Sequence, residues 1–184
     1  MRIVGAPMSP HLAYCGGSFG RVSLMAADTA LADHARDCVQ LLVNVHSAVR
    51  AVRVDGATVG LQPFEAVVIA PRQTYAIPPQ GGGPVAHASA PGFLLVKSPV
   101  AGGASGRGVR GGLVRTALRG AARDDTRQLV AELLRPAPAS ATIEGGVRAL
   151  QVAGGAPPDA AQARGPGGRT LARGTSQEVI AASG

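Results

Sequence analysis

The segment "HARDCVQLLVNV", His34 to Val45, sets a histidine, an arginine, an aspartate and a cysteine directly before an apolar run. These residue types could serve several chemistries. His34 and Cys38 are metal-ligand types. Arg36 could grip a carboxylate through two parallel N–H bonds. Its charge could also make Cys38 reactive by favouring the thiolate. The plainer expectation is a strand entry at the surface. There Arg36 and Asp37 are solvated or paired with each other, an interaction of small energy, and Cys38 is a small core residue.

Spacing moves the interest further along the segment. Gln40 and Asn44 share parity with His34, Arg36 and Cys38, so in one regular strand all five side chains face the same way. Two amides in an apolar strand need hydrogen-bond partners, because burying them unpaired costs free energy. A bound ligand could supply those partners, and so could neighbouring backbone. Tyr75 faces a similar choice between pocket wall and barrel end cap, and the cap is the reading favoured.

The elements that must hold these residues are short strands. "FGRVSLMA", "CVQLLVNV", "VRAVRV", "ATVGLQ", "EAVVIAP", "TYAIPP", "VAHASA" and "GFLLVK" follow one another at close spacing, punctuated by Gly and Pro. That pattern predicts a sandwich or barrel. Asp55-Gly56 marks a two-residue hairpin turn. "CVQLLVNV" suits a strand covered on both faces. No helix-period segment intervenes, which argues against a parallel βαβ sheet.

The pattern changes after Pro99. Residues 101–112, "AGGASGRGVRGG", hold six glycines in twelve residues and read as a flexible linker. "LVRTALRGAA" reads as a weak helix. "DDTRQLVAELLR" is a better one, with Asp124 or Asp125 as its N-terminal cap. "TIEGGVRALQVAGG" offers a third, with Ile143, Val147 and Leu150 on one face. These helices must bury their leucines on the sheet or on a second chain. From residue 154 the composition predicts disorder.

Composition limits the partners. The net charge is +7, and only one of the 18 cations, Lys97, is a lysine. Residues 1–100 carry seven of those cations against five carboxylates, so the excess lies later in the chain. Aromatic content is 3% with no Trp, which disfavours nucleic-acid binding by base stacking. Arg107, Arg110, Arg115 and Arg119 could meet phosphate backbone; a solvated linker and helix face is the favoured reading. No stretch of about 18 apolar residues suggests a membrane span, and the first residues do not read as a signal peptide. Cytoplasmic residence is the expectation. Cys15 and Cys38 form no CxxC pair, and in that compartment two free thiols are expected.

The order "HARDCVQLLVNVHSAVRAVRVDGATVGLQPFEAVVIAPRQTYAI" resembles the N-terminal sensor domain of AraC-family transcription regulators, a cupin barrel. The family's pattern has a histidine-rich entry into an apolar strand, then "VDG", then "L-x-P-G-D/E", an apolar strand, a proline and a histidine. Here those features fall on His34–Cys38, "RVDG" at 53–56, "LQPFE" at 61–65 and "VVIAPRQTY" at 67–75. The resemblance implies a mainly β fold: a cupin-like antiparallel β-barrel, or double-stranded β-helix, over residues 1–100, followed by two or three α-helices. It places a dimerisation arm over 113–153.

Three departures matter. Arg36 stands where the family has a second histidine, Tyr75 where it has a third, and Phe64 where it has the turn glycine. Arginine has no lone pair to give a metal. His34 alone makes no metal site, His46 lies twelve residues on and His87 is unplaced. No metal and no cofactor are therefore expected, and the domain is expected not to be an enzyme. The helix-turn-helix DNA reader of the family is not written in this sequence, so sequence-specific DNA binding by this chain is not expected.

The resulting expectation is a small-molecule-sensing and dimerisation domain. Its effector site comprises His34, Arg36, Gln40, Asn44 and Tyr75. Its homodimer contact uses Leu129, Val130, Leu133 and Leu134. The competing readings are a small cupin enzyme, of isomerase or dioxygenase type, and an inactive truncated fragment.

Overall fold

A computed structural model describes residues 11–79, 90–98 and 113–155. The first strands are β1 (His11–Gly17), β2 (Gly20–Ala26), β3 (Leu31–His34), β4 (Gln40–Asn44) and β5 (Arg50–Val54). They are followed by β6 (Ala57–Leu61), β7 (Glu65–Ile69), β8 (Tyr75–Ile77), β9 (Pro91–Lys97) and β10 (Val114–Ala117). Two helices close the described chain, α1 (Ala121–Leu133) and α2 (Ser140–Ala153).

The strands form two antiparallel sheets. One has the order β1-β2-β9-β4-β7-β10, the other β3-β8-β5-β6. Met25, Leu42, Ile69, Phe93 and Leu95 from the larger sheet pack with Val52, Leu61, Tyr75 and Ile77 from the smaller one. This is the barrel interior. The opposite face of the larger sheet carries Val22, Leu24, Leu41, Val43, Leu94 and Val96, which pack with Leu129, Leu133, Ile143, Val147 and Leu150 of the helices. The molecule is therefore mainly β, a two-sheet, cupin-like barrel with a helix pair laid on one outer face.

Local chemistry accounts for most boundaries. Asp55 (φ 47°) and Gly56 (φ 81°) form the left-handed hairpin turn between β5 and β6, the conformation that Asp-Gly favours. Strand β4 is buried at every position. Its odd residues meet the helices and its even residues meet the barrel interior. In α2, an added Cβ on Gly146 would come within 3.2 Å of Leu129 Cβ, so that glycine permits the close approach of the two helices.

Several expectations need correction. Val114–Ala117 is a strand, not the start of a weak helix. Val114 and Thr116 are β-branched, and the segment completes the sheet by pairing with β7 from Val68 to Glu65. Helix α1 starts at Ala121 after Gly120 (φ 50°), with no side-chain cap. Asp124 thus lies in its first turn and caps nothing. Strand β1 was not foreseen at all. The predicted strand "VAHASA" with His87, the linker at 101–112 and the tail from residue 156 lie outside the described residues.

Phe64 stands at a turn position where the resemblance implies a glycine. Its backbone holds φ 60°, the region that the family's glycine would enter freely. Its ring sits beneath two guanidiniums, Arg123 at 4.9 Å and Arg127 at 5.0 Å. These cation–π contacts from α1 offset the strain and fasten the helix to the barrel turn.

Gly92 tests the packing of β2 on β9. A Cβ there would come within 2.6 Å of Ala27 Cα and 2.8 Å of the Ala26 oxygen, both backbone. Gly92→Ala is expected to destabilise the protein by about 1–3 kcal/mol in urea unfolding, as overpacking does where backbone must yield.

Candidate functional site

The two interior amides of β4 have different fates. Asn44 is satisfied by its own surroundings. Its Nδ2 donates to the carbonyls of Ala48 (2.9 Å) and Leu61 (2.8 Å), and its Oδ1 accepts from the backbone N–H of His46 (2.9 Å). It locks the turn that leaves β4, and both of its N–H donors are used there.

Gln40 is only half satisfied. Its Oε1 accepts a hydrogen bond from the Tyr75 hydroxyl at 3.1 Å. Its Nε2 is buried with no partner. Both side chains are fully buried. Burial pushes the Tyr75 phenol up to about 12, against a smaller opposing effect of Arg36, so the hydroxyl keeps its proton and remains the donor. The other buried unpartnered nitrogen, Arg50 Nε, is at the Asn44 end, where β5 pairs Arg50 with Leu61. Its Nη1 donates to the Ala27 carbonyl at 3.2 Å.

The surroundings of Gln40 follow from sheet register. Arg21 on β2 lies opposite Lys97 on β9, and Lys97 lies opposite Gln40. Directly opposed residues share one face, and here it is the face of Met25, Leu42 and Leu95, the barrel interior. A row Arg21–Lys97–Gln40 thus crosses one end of the barrel. Sequence reasoning missed Arg21 and Lys97, because their place beside Gln40 is set by pairing across the sheet.

His34 and Arg36 reach this mouth by a different route from the one expected. They do not continue the strand of Gln40. His34 ends β3 in the smaller sheet, residues 35–39 form the crossing, and β4 begins in the larger sheet. The expected shared parity of His34, Arg36 and Cys38 with Gln40 is therefore wrong as geometry. Proximity is restored across the barrel. His34 pairs with Tyr75, their ring centroids 4.1 Å apart. His34 Nδ1 lies 2.9 Å from the Ala32 carbonyl. A carbonyl only accepts, so that nitrogen carries the proton. The Arg36 carbonyl accepts from the Arg72 N–H at 2.7 Å.

The cations at the mouth have no ion pair among the described residues, although Asp37 also acts on Cys38. Arg36, Lys97 and Arg21 all act on the Cys38 thiol, yet burial dominates and pushes it up. Cys38 is thus a protonated thiol near neutral pH; both it and Cys15 are free. Partial burial first, and Arg36 second, hold Lys97 below the usual lysine range. Asp37 turns away to pair with Arg72 at 3.1 Å, both side chains more than four-fifths exposed, not with Arg36. Among the described residues no ion pair involves Arg21, Arg36 or Lys97, and no cluster of three or more His, Cys, Asp or Glu could hold a metal.

The expected dimer contacts are divided. Leu129 and Leu133 are buried in the chain's own core, and Val130 packs partly against it. Leu134 is half exposed. Arg115, one of the expected surface cations, donates to Glu65 at 2.7 Å and to the Gly60 carbonyl at 3.0 Å. Among the described residues no helix is long and apolar enough to cross a membrane.

Solved structures give distant likenesses. A cupin protein from Bacteroides fragilis matches at 19% identity over 49% of this chain and 69% of that one, with a TM-score of 0.33. Streptomyces albus HEPD, solved with 2-hydroxyethylphosphonate and Fe(II) bound, matches at 14% identity over 75% of this chain and 30% of that one, with a TM-score of 0.29. No protein-family model and no curated protein matches the chain. The description as cupin-like rests on the chain's own two-sheet order and shared interior.

Two substitutions separate the amides. Asn44→Leu strands three backbone groups and is expected to cost about 3 kcal/mol or more. The double change Gln40→Met with Tyr75→Phe removes both partners of one bond together with the orphan nitrogen, and is expected to stay within about 1 kcal/mol of wild type in urea unfolding. Lys97 supplies a pH test. Its folded value lies below the ordinary 10.5, so the unfolded chain binds the proton more tightly. Wild-type stability should rise as pH climbs from the folded value towards 10.5. Lys97→Met should be more stable than wild type at pH 7 and should lack that rise.

Proposed function

We propose that this chain is a non-catalytic, small-molecule-sensing domain of the kind carried by AraC-type regulators. The observation that supports it is the fully buried Gln40 amide, whose Nε2 lacks a partner at a barrel mouth lined by Tyr75, His34, Arg36 and Lys97. A buried donor left open carries a free-energy cost that a ligand accepting its hydrogen bond would relieve. Two of the groups beside it are not ionised nucleophiles near neutral pH. Cys38 and Tyr75 both keep their protons.

The same strand ends connect the mouth to the helices. Gln40 faces the barrel interior; its neighbour Leu41 faces α2. At Gly154, just past α2, an added Cβ would lie 2.7 Å from Leu41 Cδ1. Gln151 of α2 donates to Ser98 Oγ at 2.8 Å, and Ser98 N–H donates to the Val39 carbonyl at 3.0 Å. Val39 and Ser98 flank Gln40 and Lys97 in sequence. In this reading a ligand at the mouth alters how the end of α2 is held. A second copy reads the change through the exposed outer side of the helices, where Leu134 and Val152 remain at 50% and 66% exposure.

A metabolite screen by thermal shift tests the proposal, followed by hydrogen exchange on each hit. The expected result is a compound that raises the wild-type Tm, loses its effect in Gln40→Met, and slows exchange at 150–154. Hits that act equally on Gln40→Met, or that leave the end of α2 unchanged, would contradict it. A strictly monomeric mass by light scattering would remove the second copy from the account.

A further inference from the structure

Two open grooves compete with the mouth as binding sites. One of about 240 Å³ lies between α1 and α2, and one of about 370 Å³ lies between Phe64, Pro91 and α1. Neither is lined by a buried polar atom that lacks a partner. The mouth has that atom, and it has charge.

The fold sorts its cations. Of the described cations between residues 11 and 98, Arg53 pairs with Asp33 and Arg72 with Asp37, and Arg50 donates to a backbone carbonyl. The remaining three, Arg21, Arg36 and Lys97, all gather around Gln40 and Cys38. Six described carboxylates are committed in ion pairs and Asp55 is held by Gln73 and Thr74; of the other two, Asp28 follows the opposite end of β2 from Arg21 and Asp125 lies on α1. Segments 80–89 and 99–112, which adjoin β8 and β9, contain no Asp or Glu that could neutralise the mouth. Three like charges destabilise one another, and the field of Arg36 at Lys97 is one expression of that; Asp37 also acts on Cys38 but is paired with Arg72.

The free valences also agree in kind. Gln40 Oε1 is already occupied by the Tyr75 proton. What remains open is the Gln40 Nε2 donor and the N–H groups of two guanidiniums and one ammonium. Each of these donates, and they outnumber the acceptors beside them, which are the Tyr75 hydroxyl oxygen, His34 Nε2 and the second lone pair of Gln40 Oε1. The complement of such a set is an acceptor with negative charge. The interior beneath it is filled by fully buried Leu42 and Ile69, with Leu95 almost as deep, so a ligand would sit on the outer side of Gln40.

We infer that the barrel mouth is an oxyanion site, in which Arg21, Arg36 and Lys97 neutralise a small carboxylate- or phosphate-type ligand and Gln40 Nε2 donates a hydrogen bond to it. This rests on the sensing role proposed above and names the class of molecule sensed. Gln40 is covered, so the long side chains of Lys97 and Arg36 part to admit the ligand while the strands stay in place.

Isothermal titration with inorganic phosphate and with succinate, each at constant ionic strength, tests the inference. The side-chain amide resonances of Gln40 are followed in parallel. One anion is expected to bind saturably, move the Gln40 amide signals and weaken as salt rises. The anion that binds separates the phosphate and carboxylate classes. Loss of one charge-assisted contact, in Lys97→Met or in Arg36→Gln, should weaken it about tenfold or more. Arg119→Gln, a change at an exposed arginine in the turn before α1, should leave affinity unchanged. Equal weakening by Arg119→Gln, or no saturable binding of either anion, would overturn the site. If neutral metabolites move the Gln40 amide while both anions do not, the anion class is wrong and the sensing role stands. If neither kind moves it, both fail.

Discussion

Strand β4 is covered on both faces, and every polar side chain it carries must find its partner inside the protein. That constraint organises the rest. On one face Leu41 and Val43 require the helix pair; on the other Leu42 requires the smaller sheet. At its far end Asn44 meets the constraint in full with three hydrogen bonds, and so fixes the exit turn. At its near end Gln40 meets it by half. The one bond it has ties the larger sheet to Tyr75 of the smaller sheet. The bond it lacks is the observation that supports the proposed ligand site.

The electrostatics of the mouth point to the same place. A protein with exposed arginines usually pairs them or leaves them to water, with little energetic effect. Here two arginines without an ion pair, Arg21 and Arg36, lie beside a partly buried lysine and a buried amide. Burial dominates the titration of Cys38, Tyr75 and Lys97 alike: it keeps the first two protonated and makes the third less willing to hold its charge.

Much of the fold was legible in the sequence. The apolar run of β4, the Asp-Gly turn and the Ile143, Val147 and Leu150 stripe each carry a local signal, and each sits where the pattern puts it. The failures came where pairing overrides local pattern. Val114–Ala117 reads as helix from its neighbours and becomes a strand because the edge of β7 is open to it. His34 and Gln40 read as one strand because alternation continues through residues 35–39; the chain uses those residues to change sheets. Of the candidate site, Gln40, Tyr75, His34 and Arg36 were visible as residue types. They are brought near one another by sheet pairing and not by shared parity, and Asn44 is bonded to its own turn and to Leu61. Arg21 and Lys97 gave no signal, because each is an ordinary cation at a strand end until register sets them side by side.

A high-resolution crystal structure of the purified protein, read at the barrel mouth, tests the central claim most directly. The account predicts density for an acceptor, an anion or an ordered water, within hydrogen-bond distance of Gln40 Nε2 and on the side of Lys97. A Gln40 amide fully bonded to protein groups, with Lys97 and Arg36 each matched to a carboxylate of the chain, would contradict it.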